Sequence, residues 1–159
     1  MSTPAPRLDY FRQSADLSRK YMDFGMAFRM DKTLALLVDI RASQLNGCAF
    51  CLDMHIKQAK LHGERELRLH HVAIWHESPL FTPKERAALA WTELLTQIPR
   101  GGVSDAAYAE VREHFPDEEL SELTWRIAAI NGWNRMNVAF RNVPGSLDKM
   151  FGLEKAGLS

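Results

Sequence analysis

The sequence predicts an all-α fold, and three observations lead to that class. Apolar residues recur three and four positions apart along most of the chain, the spacing of one face of a helix. No segment alternates apolar and polar residues with β-branched side chains, as a half-buried strand would. Glycine, proline and asparagine separate the apolar segments, as they do at helix ends. With 46% hydrophobic and 25% charged residues, the chain fits one domain, 1–159.

The helices follow in order from these signals. We expect a core of about 30–141, with tails at 1–7 and at 146–159, where the sequence predicts no definite structure. The Asn46-Gly47 pair ends the second helix, and Thr82, Pro83 and Glu85 predict a capping box at the start of the fifth. The predicted helical segments are 8–30, 31–47, 48–61, 64–77, 82–98, 104–115 and 117–141.

Charge and hydropathy exclude some function classes. Twenty basic and twenty acidic residues give a formal charge of zero, which argues against a nucleic-acid partner. No apolar run approaches the roughly 20 residues of a membrane span, so we expect no membrane partner. The first 20 residues lack the apolar core of a signal peptide. We therefore expect a cytoplasmic protein, in a reducing compartment where a cysteine pair is more often catalytic, redox-active or metal-binding than a permanent disulfide.

The two cysteines, Cys48 and Cys51, lie three residues apart, and His55 follows four residues later. On a helix over 48–61 all three would share one face. Cys48 would lie in the first turn, where free backbone N–H groups and the helix dipole stabilise a thiolate. An ordinary thiol of pKa about 8.5 is only about 3% ionised at pH 7, and such surroundings lower that pKa to roughly 3.5–7.5. The pattern fits a dithiol that attacks a peroxide and closes to a disulfide.

A cysteine pair can also bind zinc, attach haem, form a thioredoxin-like site or simply fill a core. Structural zinc requires a fourth ligand beside two cysteines and one histidine, and no other histidine lies at finger spacing, so we expect no metal. Haem attachment requires a histidine directly after the second cysteine, where the chain has Leu52. A thioredoxin-like site requires a βαβ pattern, which the sequence lacks. Two small cysteines buried on a packed helix stay possible.

The segment around the cysteines resembles the core motif of the AhpD-like alkylhydroperoxidase family, within the carboxymuconolactone decarboxylase superfamily. The motif S-x-x-N-G-C-x-x-C-x-x-x-H is met here by Ser43, Asn46, Gly47, Cys48, Cys51 and His55. The resemblance extends over at least 30–100, and 130–141 is similar to C-terminal segments of the family. It implies an AhpD-like helical bundle with the C-x-x-C at the N-terminus of a central helix, a homo-oligomer, and thiol-dependent reduction of hydroperoxides.

The resemblance also implies a role for each site residue. Cys51 would be the peroxidatic thiol, Cys48 would resolve its sulfenic acid to a Cys48–Cys51 disulfide, and His55 would be the base. The substrate would be an organic hydroperoxide or hydrogen peroxide. An external dithiol, for which a lipoylated protein is one candidate, would reduce the disulfide, and no cofactor is expected.

Two positions depart from the family pattern. Leu36 stands where the best-studied subgroup has a glutamate that helps to relay the proton, and Phe50 stands where it has a histidine. Glu93 is our first candidate for the missing carboxylate, because Glu85, Leu89 and Glu93 follow one another at intervals of four. Asp39 and Tyr21 are weaker candidates.

Two further functions stay open. The chain could be an enzyme like carboxymuconolactone decarboxylase, although the decarboxylase branch generally lacks the cysteine pair. It could also be a redox-sensing binding protein without turnover, which the absence of a glutamate at position 36 favours.

Overall fold

A computed structural model describes residues 5–158. Residues 1–4 of the predicted N-terminal tail, and Ser159, lie outside the described residues. The described residues form nine α-helices and two short 3-10 helices, and none of them forms a strand, so the all-α prediction is confirmed. The α-helices are α1 (Tyr10–Gln13), α2 (Ala15–Met26), α3 (Lys32–Leu45), α4 (Ala49–Leu61), α5 (Glu66–His71), α6 (Pro83–Thr96), α7 (Asp105–Arg112), α8 (Asp117–Phe140) and α9 (Asp148–Phe151). The 3-10 helices are Val72–Glu77 and Leu153–Ala156.

The predicted helices 8–30 and 64–77 are each divided in two. Between α1 and α2, the Ser14 hydroxyl donates a hydrogen bond to the carbonyl of Tyr10, the kind of local bond that bends a helix. After α5, the backbone of Ile74 leaves the helical region within the 3-10 helix. The capping box predicted at the start of α6 is confirmed, with Thr82 and Glu85 as its two members.

Helix α3 lies at the centre of the packing and contacts α4, α6 and α8. One side of α3, with Leu34 and Val38, packs with residues of α6 and α8 into one apolar cluster. Another side, with Leu36 and Ile40, packs with residues of α4, α5, the first 3-10 helix and α6. Because it is covered on several sides, α3 holds the side chains that it contributes to the site in fixed positions.

The turn from α3 to α4 positions the cysteines. Gly47 adopts a left-handed conformation (φ 62°), which glycine takes without a steric penalty. The N–H of Gly47 donates to the carbonyl of Gln44, and the N–H of Cys48 donates to the carbonyl of Ser43, as in a Schellman motif. This turn brings Cys48 to the N-cap of α4.

The two ends of the described chain pack against two helices that contact each other, α8 and α4. Near the N-terminal end, the Tyr21 hydroxyl donates to the carbonyl of Ala129 on α8 at 2.9 Å. Gly132 makes room for this contact, because a Cβ there would overlap the Tyr21 hydroxyl. Near the C-terminal end, the buried Lys57 of α4 binds Asp148 at 2.6 Å and Asp53 at 2.9 Å, which holds α9 against α4.

Within residues 5–158, no helix has the length and apolar character that crossing a membrane requires.

Candidate functional site

The two cysteine sulfurs lie side by side at the start of α4. Both residues are free thiols, each only 2% exposed. Their Sγ atoms are 2.6 Å apart and share a hydrogen bond. The backbone N–H of Cys51 also donates to the sulfur of Cys48 at 3.4 Å. A disulfide bond is about 2.05 Å long, so a small movement would bring the two sulfurs to bonding distance.

The shared hydrogen bond pushes the two pKa values apart. It lowers the pKa of Cys48, and the backbone N–H of Cys51 helps, while burial opposes the change. The same bond raises the pKa of Cys51, and burial and the charge of Cys48 add to that rise. Of the two thiols, Cys48 is therefore the one that loses its proton more readily, and Cys51 is the one that keeps its proton.

His55 lies one turn after Cys51, and two acceptors near its Nδ1 set its tautomer. Its Nδ1 is 2.9 Å from Oε1 of Gln58 and 3.5 Å from a carboxylate oxygen of Asp39. A carboxylate only accepts, so Nδ1 carries the hydrogen and Nε2 keeps its lone pair. A neutral histidine in this tautomer can accept a proton at Nε2. None of its hydrogen bonds within the described chain is to a sulfur, so a transfer from Cys51 would pass through a bridging water.

Asp39 is fully buried on α3 and also binds Arg126 of α8. The Nε of Arg126 donates to one carboxylate oxygen at 2.9 Å, and its Nη2 donates to the other. This two-point contact fixes the plane of the carboxylate. Asp39 thus takes the position of a carboxylate that orients His55, with its own charge balanced by Arg126.

An apolar cavity of about 240 Å³ opens beside these groups. Of the two cysteines, Cys51 is the one that lines it, together with His55, Asp39 and Arg126. The rest of the wall comes mostly from apolar side chains of α1, α2, α4, α8 and the C-terminal segment. These are Phe11, Met22, Met26, Phe50, Met54, Ile130, Trp133, Leu147 and Phe151. The cavity could hold a small organic molecule next to Cys51.

Three asparagines of α8 form a buried polar stripe that the sequence reasoning missed. Asn131, Asn134 and Asn137 follow at intervals of three, so they lie near one another along the helix. The amide of Asn46 donates to Asn131 and Asn134, each at 2.9 Å, and so ties the α3–α4 turn to α8. The amide of Asn137 donates to Cys51 Sγ at 3.3 Å. The spacing N-x-x-N-x-x-N in a mostly apolar helix was the signal in the sequence.

The candidates for the missing carboxylate lie in different surroundings. Glu93 accepts hydrogen bonds from Arg41 and Trp75, both at 2.7 Å. In the part of the chain that the structure describes, neither partner lines the cavity, and Glu93 has no contact with His55. Tyr21 binds the backbone of α8 instead of the site. The structure thus brings Asp39, and not Glu93, to His55.

The two departures from the family pattern are both buried. Leu36 packs in the apolar cluster with Leu69, Val72 and Trp75, so no polar group reaches the site from that position. Phe50 forms part of the cavity wall beside the cysteines. No three histidine, cysteine, aspartate or glutamate side chains among residues 5–158 are grouped as a metal site would require.

Sequence comparison identifies relatives over most of the chain. The model of the carboxymuconolactone decarboxylase family matches residues 15–94. The uncharacterized protein YdfG of Bacillus subtilis (strain 168) is 37% identical over 139 residues, which make up 86% of this chain and 95% of YdfG.

Comparison with solved structures gives the same fold. A protein of unknown function from Agrobacterium tumefaciens, suggested to be the antioxidant defence protein AhpD, superposes with a TM-score of 0.84 at 36% identity. That match covers 88% of this chain and 98% of the other. The debrominase Bmp8 superposes with a TM-score of 0.74 at 18% identity, covering 92% of this chain and 80% of Bmp8, and at that identity the likeness shows only a common fold.

Proposed function

We propose that this chain, which belongs to the carboxymuconolactone decarboxylase family and is AhpD-like, is a thiol-dependent peroxidase that uses Cys48 and Cys51 as its redox pair. One observation carries the proposal. Two reduced sulfurs lie 2.6 Å apart, and one of them, that of Cys51, lines an apolar cavity that His55 also lines. This arrangement supplies a nucleophile, a base and a second thiol to the same bound molecule.

In the first step, the Cys51 sulfur attacks the outer oxygen of the hydroperoxide. Cys51 gives its proton to Nε2 of His55 through a water, and the thiolate displaces the alkoxide as the O–O bond breaks. The protonated His55 then gives its proton to the alkoxide, which leaves as an alcohol. Cys51 is left as a sulfenic acid, and the peroxide has gained two electrons.

In the second step, the Cys48 thiolate attacks the sulfur of the sulfenic acid. The S–O bond breaks, a Cys48–Cys51 disulfide forms, and the departing hydroxide takes up a proton to become water. The lowered pKa of Cys48 favours the thiolate that makes this attack. An external dithiol returns two electrons by thiol–disulfide exchange and restores both thiols.

The proposal is tested by mixing the fully reduced protein with cumene hydroperoxide or hydrogen peroxide in a stopped-flow instrument. We expect fast formation of one disulfide per chain, identified by mass analysis. Cys51→Ser should abolish the reaction. Cys48→Ser should stop it at a sulfenic acid on Cys51, which dimedone would trap.

Two outcomes would contradict the proposal. A sulfenic acid that forms only on Cys48 would reverse the roles of the two cysteines. Two thiols that stay intact after long exposure to both peroxides would exclude a peroxidase, and would favour a redox-sensing binding protein or a decarboxylase-like enzyme.

A further inference from the structure

Asn137 joins the sulfur of Cys51 to a chain of buried hydrogen bonds. Its Nδ2 is 3.3 Å from Cys51 Sγ, although the two residues lie 86 positions apart in the sequence. Asn137 is 4% exposed, and its side chain also lines the cavity. The amide therefore contacts the atom that reacts in the proposed peroxidase, on which this inference rests.

The orientation of the Asn137 amide is set by its other partners. Its Oδ1 accepts from the Tyr10 hydroxyl at 3.0 Å and from the Asn142 amide at 2.7 Å. Its Nδ2 donates one hydrogen to the carbonyl of Trp133 at 3.0 Å, which leaves the other for Cys51. Because the Trp133 carbonyl can only accept, a flipped amide would set two oxygens against each other there, so Nδ2 lies on the side of Trp133 and Cys51. The donor must face the sulfur.

We propose that Asn137 is a catalytic residue that stabilises negative charge on Cys51, and that Tyr10 is a positioning residue that holds its amide. The Cys51 backbone N–H and the helix N-terminus favour charge on Cys48, the opposite side of the pair. Asn137 acts against that preference, and so makes the sulfur that faces the cavity available as a thiolate. The Tyr10 hydroxyl polarises the amide, since hydrogen bonds in a chain strengthen one another.

Ionising Cys51 is unfavourable, because the residue is buried and lies next to Cys48. The pKa of Cys51 is raised by the bond to Cys48 and by burial, and the amides of Asn134 and Asn137 act to lower it. Of these two amides, that of Asn137 donates directly to the sulfur, at 3.3 Å. The peroxide chemistry itself is unchanged, because Asn137 neither gives nor takes a proton.

The test measures the pKa of Cys51 directly, without peroxide. In a Cys48→Ser background Cys51 is the single thiol, so its ionisation follows from thiolate absorbance and from the rate of iodoacetamide alkylation against pH. We expect Asn137→Leu to move the midpoint up by about one to two pH units, the usual effect of losing a hydrogen bond to a charged group. Tyr10→Phe, which keeps the ring but removes one of the two donors to Oδ1, should give a smaller rise.

A matched control separates this role from a structural one. Thr124→Val removes hydrogen bonds to Trp91 and to the Leu120 carbonyl on the same helix, α8, without touching either sulfur. It should leave the midpoint unchanged. An unchanged midpoint in folded Asn137→Leu would overturn the inference. If Asn137→Leu does not fold, Tyr10→Phe provides the test. An unchanged midpoint in Tyr10→Phe would then overturn the role proposed for the hydrogen bonds that link Tyr10, Asn137 and Cys51.

The pKa measurement distinguishes a failure of the role of Asn137 from a failure of the proposed peroxidase. A protein that does not react with peroxide, but whose Cys51 midpoint rises in Asn137→Leu, would refute the function and keep the assignment of Asn137. A protein that reacts with peroxide, but whose Cys51 midpoint is unchanged in Asn137→Leu, would keep the proposed function and refute the role of Asn137.

Discussion

His55 is held by two groups, and the carboxylate among them is Asp39. In Asp39→Asn the amide no longer requires a donor at Nδ1, so the histidine can take the wrong tautomer. We expect the rate of peroxide reaction to fall about 100-fold or more, within the range of general acid–base catalysis. The variant should also be less stable by about 3–5 kcal/mol, because Arg126 loses its partner. Stopped-flow rates and urea unfolding would measure the two effects.

Glu93→Gln is the matched comparison for this prediction. It keeps the shape of a side chain that binds Arg41 and Trp75, and we expect the reaction rate to stay within about twofold, since Glu93 does not contact His55. A large loss of rate in Glu93→Gln, with Asp39→Asn unaffected, would return the relay to our first candidate.

The reactivity of the cysteine pair should extend below the pH range of an ordinary thiol. The pKa of Cys48 is lowered mainly by its hydrogen bond with Cys51, so alkylation of the wild-type protein should stay fast below about pH 8.5 and fall only as pH drops through the lowered value. Cys51→Ala removes the side-chain donor, which lowers the pKa of Cys48 most, and keeps the backbone N–H, so its midpoint should rise. Cys51→Ser keeps a hydroxyl donor and should rise less. Equal midpoints in all three proteins would contradict this account.

The residues near the cysteines were within reach of the sequence, whereas their distant partners were not. The spacing of Cys48, Cys51 and His55 predicts that they share one helix face; in the structure Cys48 is the N-cap of α4, Cys51 lies in its first turn and His55 in its second. From the sequence alone Asp39 ranks below Glu93. The position of the Asp39 carboxylate depends on its contact with Arg126, which lies 87 positions away in the sequence. An acidic residue within the apolar stretch 34–40 of α3 was the available signal.

At the scale of elements, α9 is held in place by one buried cation. Lys57 is 4% exposed and binds both Asp53 and Asp148. Asp148→Asn should lower the free energy of unfolding by about 1–3 kcal/mol, because a charged hydrogen bond is lost. It should also speed amide hydrogen exchange in 148–156. Both can be measured by urea titration and exchange mass spectrometry.

The control for α9 is an ion pair on the surface. Lys84 and Glu119 are each about half exposed, and Glu119→Gln should change stability by less than about 1 kcal/mol. Equal losses in the two variants would mean that the contact between α4 and α9 is no stronger than a surface pair.

The sequence predicts the long helices well and the short ones poorly. The capping box of α6 and the end of α8 follow from local signals. For 146–159 the sequence predicts no definite structure, because the apolar residues are too few to show a period. In the fold, Leu153 and Ala156 are buried in that segment, where 148–156 packs on α4. Tertiary contacts, rather than local preference, decide its structure.

For the whole molecule, the homo-oligomer stays a prediction. Large apolar side chains are exposed near the cavity mouth, including Met26 at 72% and Phe151 at 42%. Trp125 is exposed, and its ring packs edge-on against Phe24 of α2. It therefore extends this surface. Apolar surface of this kind is typical of a subunit contact, so we expect light scattering to give a mass above that of one chain. Trp125→Glu should lower it.

Leu67→Glu provides the comparison, because Leu67 is a similarly exposed apolar residue on α5, a helix that does not line the cavity in the described structure. It should leave the mass unchanged. A wild-type protein with the mass of a single chain would refute the oligomer prediction.

The link between Tyr10 and Asn137 has a consequence for how the protein is made. The two residues are 127 positions apart, so this hydrogen bond can form only after nearly all of the described chain has left the ribosome. The reactive cysteines are synthesised long before that moment. During synthesis they would behave as ordinary thiols, and the special reactivity of Cys51 would arise only on completion of the fold. The contacts that make Cys51 reactive would thus be among the last to form.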